Sequence, residues 1–278
     1  MLSRLSGVRP LLRLGALLLT VFSLGFMLLP IVVIVGSSFG GTSYLTFPPK
    51  DLTLKWYSEV LSLTQFVQPL KISILLSSFA ATAATILSLG LSYALVRYKV
   101  WGKSILNALF LSPVIIPLVV TGAAFLLFFT RIGVHSRFAT LVIAYIIINI
   151  PYAMRAITAS LQTCDISLEE AAMSLGANRV KTFLKITLPQ IRAGVVAGWL
   201  FTFALSFDEF AVAVFLSGPG CTTFPVELFQ YIRWSVNPVI GALSTILIIF
   251  ASTLVFIMDR MGGIEAIMGL ESYSGERR

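Results

Sequence analysis

Two adjacent carboxylates, Asp208 and Glu209, directly follow the uncharged run Ala193–Phe207 and are bracketed by Phe207 and Phe210. A carboxylate at the end of an apolar segment is expensive unless it faces water, a cation or a pathway. Carboxylates beside aromatic faces could hold a cationic solute, through opposite charge and cation–π contact together. Phe207, Phe210 and Trp199 could supply such faces. From Asp208 to Asn237 the chain holds Asp208, Glu209 and Glu227 against Arg233 alone, although its net charge is +8. A simpler role fits equally: Asp208 and Glu209 mark the membrane edge or pair with Arg233.

Bond-making chemistry finds no comparable constellation. Ser112, Ser206 and Ser217 lack a nucleophile elbow, and His135, the single histidine, has neither a second metal ligand nor a triad partner. Gly102-Lys103-Ser104 would need a glycine at position 97 to make a phosphate loop, and Arg97 stands there. No catalytic residue, metal site or cofactor of its own is therefore expected, and the tripeptide reads as a basic turn. The basic balance lacks the interleaved aromatics of a nucleic-acid surface.

A second segment, Glu170–Pro189, is polar and partly basic inside a very apolar chain. Ser167 and Glu170 have the spacing of a capping box, which predicts a helix starting at Ser167. Leu168, Ala171, Ala172 and Leu175 make one apolar stripe at helical spacing. Gly176 suits the left-handed conformation of a C-terminal cap. Asn178 can start a second helix with Val180, Phe183 and Leu184 on one face, which Pro189 closes. Two short helices joined at a glycine elbow form a knuckle able to enter a partner's groove; a membrane-surface hairpin has the same pattern.

These segments must be positioned by a membrane framework. The chain is 57% hydrophobic and 12% charged, with mean hydropathy +0.94, whereas a soluble domain carries about 25% charged residues. Runs free of Asp, Glu, Lys and Arg cover Leu14–Pro49, Ile72–Val96, Ser104–Thr130, Phe138–Met154, Ala193–Phe207 and Ser235–Met258. At about 20 residues per crossing they predict an all-α membrane protein of six spans, the fifth continuing past Asp208-Glu209. Pro113 and Pro117 should kink or interrupt the third span, and Pro151 should bend the fourth toward the loop that follows. Gly194 and Gly198, four residues apart, permit close helix approach, with packing inside the chain favoured.

With the N-terminus inside, 14 of the 20 Lys and Arg residues fall on the inner segments 1–13, 97–103, 155–192 and 259–278, as the positive-inside rule requires. Cys164 is then inside and Cys221 outside, so the two cannot pair. Arg4, Arg9 and Arg13 precede an apolar run too long for a signal-peptide core, so an uncleaved first helix is expected. The expected organisation is a cytoplasmic N-terminus at 1–13, a six-span domain at 14–258 containing the inner loop 155–192, and a cytoplasmic tail at 259–278. The longest outer loop, Ser37–Pro69, holds a short amphipathic stretch near Trp56–Leu63.

Glu170, Ala171, Ala172, Gly176, Ile186, Leu188 and Pro189 fall in register with E-A-A-x3-G-x9-I-x-L-P. This resembles the EAA signature of ABC-importer permeases. Ser206-Phe207-Asp208-Glu209-Phe210, Ser217-Gly218-Pro219-Gly220, Thr222-Thr223-Phe224-Pro225 and Val236-Asn237-Pro238 further resemble the second, C-type permease subunit of spermidine/putrescine importers, although Val239 and Ile240 stand where that family often has an acid. The resemblance implies a type I ABC-importer permease fold in a bacterial inner membrane. It also implies an ABC ATPase dimer that binds ATP and docks on the EAA-like segment, a second homologous permease, and a periplasmic substrate-binding protein facing the first outer loop. A polyamine importer is the expectation; an opine or amino-acid-like importer, or a stand-alone channel or scaffold, is the alternative.

Overall fold

The computed structural model describes residues 8–234 and 237–260, with side chains from Leu14 onward. Residues 1–7, Ser235, Val236 and residues 261–278 lie outside the described residues, and with them Arg4 and nearly all of the expected tail. The chain divides into two compact units: 1–63 with 232–250, and 64–231 with 251–278.

In the first unit, α1 (Val8–Ser37) ends well before the uncharged run does, since that run continues into a Gly- and Pro-rich loop. Phe22 and Met27 are each 71% exposed, as suits a helix whose solvent is lipid. The loop beyond is folded rather than loose. Trp56, on α2 (Lys55–Ser62), donates its indole N–H to the Gly40 carbonyl at 2.6 Å, and the Ser38 and Tyr57 hydroxyls lie 2.7 Å apart. Trp56 packs with Val239 and Ala242, and Gly241 sits against Ser38. The amphipathic stretch expected near Trp56–Leu63 is α2.

The second unit is organised on three helices. These are α3 (Val67–Arg97), α6 (Arg137–Thr163) and α10 (Arg192–Asp208), of which α3 and α6 are each long and apolar enough to cross a bilayer. Small residues let them approach closely: Ala80, Ala81 and Ala84 on α3, Ala153 and Ala156 on α6, and Gly194, Ala197 and Gly198 on α10 are all buried. A side chain at Gly194 would run into Ser160 and the Ala156 carbonyl, so the Gly-x-x-x-Gly pair packs within the chain, as expected. Polar bonds stitch the interface. Ser88 Oγ donates to the Ile150 carbonyl at 3.0 Å, Ser92 Oγ to the Met154 carbonyl at 3.2 Å, and Asn149 Nδ2 to Ser206 Oγ at 2.9 Å.

The third expected span is not one helix. Preceding α6 in the chain, α4 (Lys103–Ile115) and α5 (Leu118–Arg131) meet at a 102° bend across Ile116-Pro117. Pro117 lacks the N–H that would continue the ladder, and its ring disfavours helix at the residue before it. Pro151 behaves differently, lying inside α6, which runs on to Thr163 past the end of its uncharged run. Among the described residues, four helices are long and apolar enough to span alone, and the total reaches six if each of two bent pairs is one span.

Between α6 and α10 lie α7 (Ile166–Ser174), α8 (Arg179–Thr182), a π turn at Phe183–Thr187 and α9 (Leu188–Gln190). The run from Arg179 to Gln190 meets α10 at 72°. Beyond α10 come α11 (Ala213–Leu216), α12 (Phe224–Trp234) and α13 (Pro238–Arg260).

Candidate functional site

The EAA-like segment folds as two short helices about a glycine elbow, with one correction at its start. The N-cap of α7 is Asp165, whose carboxylate accepts from the Ser167 amide at 2.9 Å. The expected capping box between Ser167 and Glu170 is absent because Asp165, an equally good cap, already holds that amide. This hydrogen bond keeps the Asp165 carboxyl below the usual carboxylate range. Glu170 is exposed, as are Ala171 and Pro189, while Ala172, Ile186 and Leu188 are half-buried.

Gly176 has φ +90°, with the Ala177 amide donating to the Ala172 carbonyl and the Gly176 amide to the Met173 carbonyl, each at 3.0 Å. That pairing is a Schellman cap, and it needs the left-handed residue that glycine supplies. Asn178 caps α8 by accepting from the Lys181 amide at 2.8 Å. The second arm then differs from expectation. Pro189 does not close it; the backbone widens into the π turn, where the Leu188 amide reaches the Phe183 carbonyl, and the helix continues to Gln190. A wider turn relieves the clash of a proline ring with the preceding turn.

Leu175 is 90% exposed, Val180 67% and Leu184 54%. These exposed apolar side chains stand on a polar, partly basic segment. The segment is tied down from behind. Glu169, at 4% exposure, accepts from Arg97 Nε at 3.1 Å and Arg97 Nη2 at 2.9 Å. Arg179 Nη1 donates to the Tyr98 hydroxyl at 3.2 Å and lies over its ring. Leu188 packs with Ile157, Leu161 and Ile191 at the lower end of the helix core, beside Cys164, whose thiol burial pushes up. Sequence reading passed over Glu169 for the motif's own Glu170; only the long-range contact distinguishes them.

At the other end of α10 the structure separates the two carboxylates. Helix α10 ends at Asp208, so the expected continuation past Glu209 does not occur. Glu209 turns into extended backbone (φ −69°, ψ 110°), and its carboxylate accepts from the Val212 amide at 2.8 Å. The hydroxyl of Tyr145 donates to the Glu209 carbonyl at 2.9 Å. Glu209 thereby serves the turn into α11, while Asp208 is exposed.

The aromatic candidates divide as well. Trp199, Phe203 and Phe207 stack along one face of α10, with centroids 5.5 and 6.2 Å apart and nearly parallel rings. Phe224 extends the stack at 6.2 Å from Phe207, and Phe66 follows at 5.8 Å. Phe203 went unrecognised in the sequence, although it completes an i, i+4, i+8 series with Trp199 and Phe207. Phe210 stands apart against Phe229, at 4.8 Å. Trp199 also donates its indole N–H to Thr82 Oγ1 of α3 at 3.0 Å. His135 is exposed, and no group of three His, Cys, Asp or Glu side chains converges among the described residues.

Residues 84–264 match the family described as binding-protein-dependent transport system inner membrane component. The putrescine transport system permease protein PotI of Escherichia coli (strain K12) is 34% identical, over 83% of this chain and 85% of that one. The spermidine/putrescine transport system permease protein PotC of Haemophilus influenzae is 31% identical, over 83% and 89%. Among solved structures, a bacterial ABC transporter involved in the import of the acidic polysaccharide alginate superposes with TM-score 0.68 over 91% of this chain and 96% of that one. At 19% identity this last likeness shows the fold alone.

Proposed function

The chain belongs to the family of binding-protein-dependent transport system inner membrane components, and from that membership we propose its solute, its docking segment and its orientation. It is a multi-pass permease subunit of an ATP-driven importer with the type I permease fold, in a family that leaves ATP hydrolysis to a partner ATPase and works with a substrate-binding protein.

The proposed solute is a polyamine of the putrescine or spermidine kind. The observation that carries this is the exposed Asp208 carboxylate at the end of α10, next in the chain to the stacked face of Trp199, Phe203 and Phe207. An exposed carboxylate suits an alkylammonium group; within the aromatic series Trp199 is the half-buried ring, while Phe203 and Phe207 are each 8% exposed and back it from within the core. The relatives named for putrescine and spermidine transport support the same solute class.

The proposed docking segment is Glu170–Pro189, offered to an ATPase dimer that binds the ATP; a second, homologous permease completes the membrane part. The segment lies on the cytoplasmic side, with both termini there and a periplasmic binding protein on the opposite face. Up to six spans fit if each bent helix pair counts as one, with α10 making the fifth crossing and the Arg179–Gln190 run staying at its cytoplasmic end. Closure of the ATPases would move the segment and shift the spans between two access states.

Uptake of radiolabelled putrescine and spermidine into proteoliposomes holding the assembled transporter, with binding protein and internal ATP, tests the reading. Saturable, ATP-dependent polyamine uptake is the expected result. Uptake of an amino acid or opine in place of polyamines would overturn the solute, and conductance without nucleotide would overturn the transporter.

A further inference from the structure

We infer that Arg97 and Glu169 form the strut that carries movement of the docking segment into the helix core, which makes them positioning residues for coupled transport. The inference rests on the docking role proposed above and adds the route by which docking acts.

Of the nine residues of α7, Glu169 is the buried one. Its neighbours do little to hold the helix down: Ile166 is 50% exposed, Leu168 49% and Met173 42%. Helix α7 is thus held to the core by a charged grip more than by apolar packing. The grip is a two-nitrogen one, from Arg97 Nε and Nη2, at distances of 2.9 to 3.3 Å, with the two side chains 10% and 5% exposed. A guanidinium fork meeting a carboxylate fixes orientation as well as distance, so displacement of α7 is passed on instead of being lost by sliding.

Arg97 stands in the last turn of α3, a position where the helix dipole also favours a cation. The next residue, Tyr98, holds Arg179 of α8. Both arms of the elbow are therefore fastened at the C-terminal end of α3. Helix α3 in turn packs along α6 and α10, the helix that ends in Asp208. A push on the knuckle has a continuous, stiff path to that end.

The test uses the assembled transporter with its ATPase and binding protein in proteoliposomes, with radiolabelled putrescine as probe. Uptake and ATP hydrolysis are measured together for Arg97→Lys, Glu169→Gln and the exchange R97E/E169R. The expected result is that each single variant keeps its ATPase on copurification yet transports about tenfold less putrescine per ATP hydrolysed. The exchange should recover part of that loss, the remainder reflecting an anion placed at the C-terminal end of α3. Arg97→Lys keeps the charge, and with it the fold, but not the fork, so it carries the test if Glu169→Gln does not assemble. A merely structural role predicts that uptake and ATP hydrolysis fall together with the amount of complex, at constant ratio; that outcome overturns the strut. An unchanged ratio in fully assembled variants overturns it too, and leaves docking standing. If the wild-type chain does not hold the ATPase at all, docking fails and the strut fails with it.

Discussion

The buried hydroxyl of Tyr145 donates to the backbone carbonyl of Glu209 at 2.9 Å, and this bond marks where the chain leaves α10. It ties the residue after the helix to the middle of α6, 64 positions earlier. The Glu209 carboxylate folds back onto the Val212 amide, so of two adjacent acids only Asp208 is left exposed.

That division sets unequal expectations for the two acids. Asp208→Asn should lower polyamine uptake about tenfold, the worth of one hydrogen bond to a charged group, with the complex still assembled. Glu209→Gln keeps an acceptor for Val212 and should cost much less, whereas Glu209→Ala should loosen the turn and lower the yield of folded protein. Initial uptake rates normalised to purified complex decide between these. Normal uptake in Asp208→Asn, in Glu209→Gln and in their double would remove the carboxylate from the path. Loss of folding in Asp208→Asn, restored on exchanging charges with Arg233, would make it a structural pair instead.

At the elbow, Ala171→Trp should hinder approach of the ATPase through bulk at an exposed small residue, and leave membrane insertion intact. Gly176→Val acts differently. No atom lies near the added side chain, but φ +90° is strained for a β-branched residue, at about 1–2 kcal/mol. Copurification of the ATPase and substrate-stimulated ATP hydrolysis are the readouts. Wild-type values for Ala171→Trp would refute docking at this face.

The proposed orientation predicts how two unpaired, half-buried cysteines react. In sealed right-side-out vesicles, a membrane-impermeant thiol reagent should reach Cys221 and should spare Cys164 until the membrane is opened. Labelling of Cys164 alone would invert the topology and remove the segment Glu170–Pro189 from the cytoplasm. Burial raises both thiols, so the labelling calls for mildly alkaline buffer, where more thiolate is present.

The α7 cap carries a pH dependence with a definite sign. The Asp165 carboxyl is held below its unfolded value by the Ser167 amide, so the cap stabilises α7 above about pH 4, the ordinary Asp range. That contribution is lost as pH falls through the lowered value. Amide exchange at Ser167, corrected for the intrinsic rate, should lose protection on acidification in the native chain. Asp165→Ala should show low protection at every pH; equal protection in both chains would dismiss the cap.

The membrane class, the helical runs and the glycine elbow were legible in the sequence because each depends on neighbours along the chain. Uncharged length decides what can enter a bilayer, and Gly176 and Asn178 cap helices through bonds to residues within one turn or so. The register of Glu170 to Pro189 carried the family for the same reason. Tertiary structure alone decided which carboxylates are occupied. Glu169 and Glu170 are alike in the sequence, and only the approach of Arg97, 72 positions earlier, buries the first and leaves the second exposed. Asp208 and Glu209 are likewise told apart by Tyr145 and by the turn into α11. An ion pair or hydrogen bond formed across such separations depends on how α3, α6 and α10 pack, and hydropathy and motif spacing carry no record of that packing.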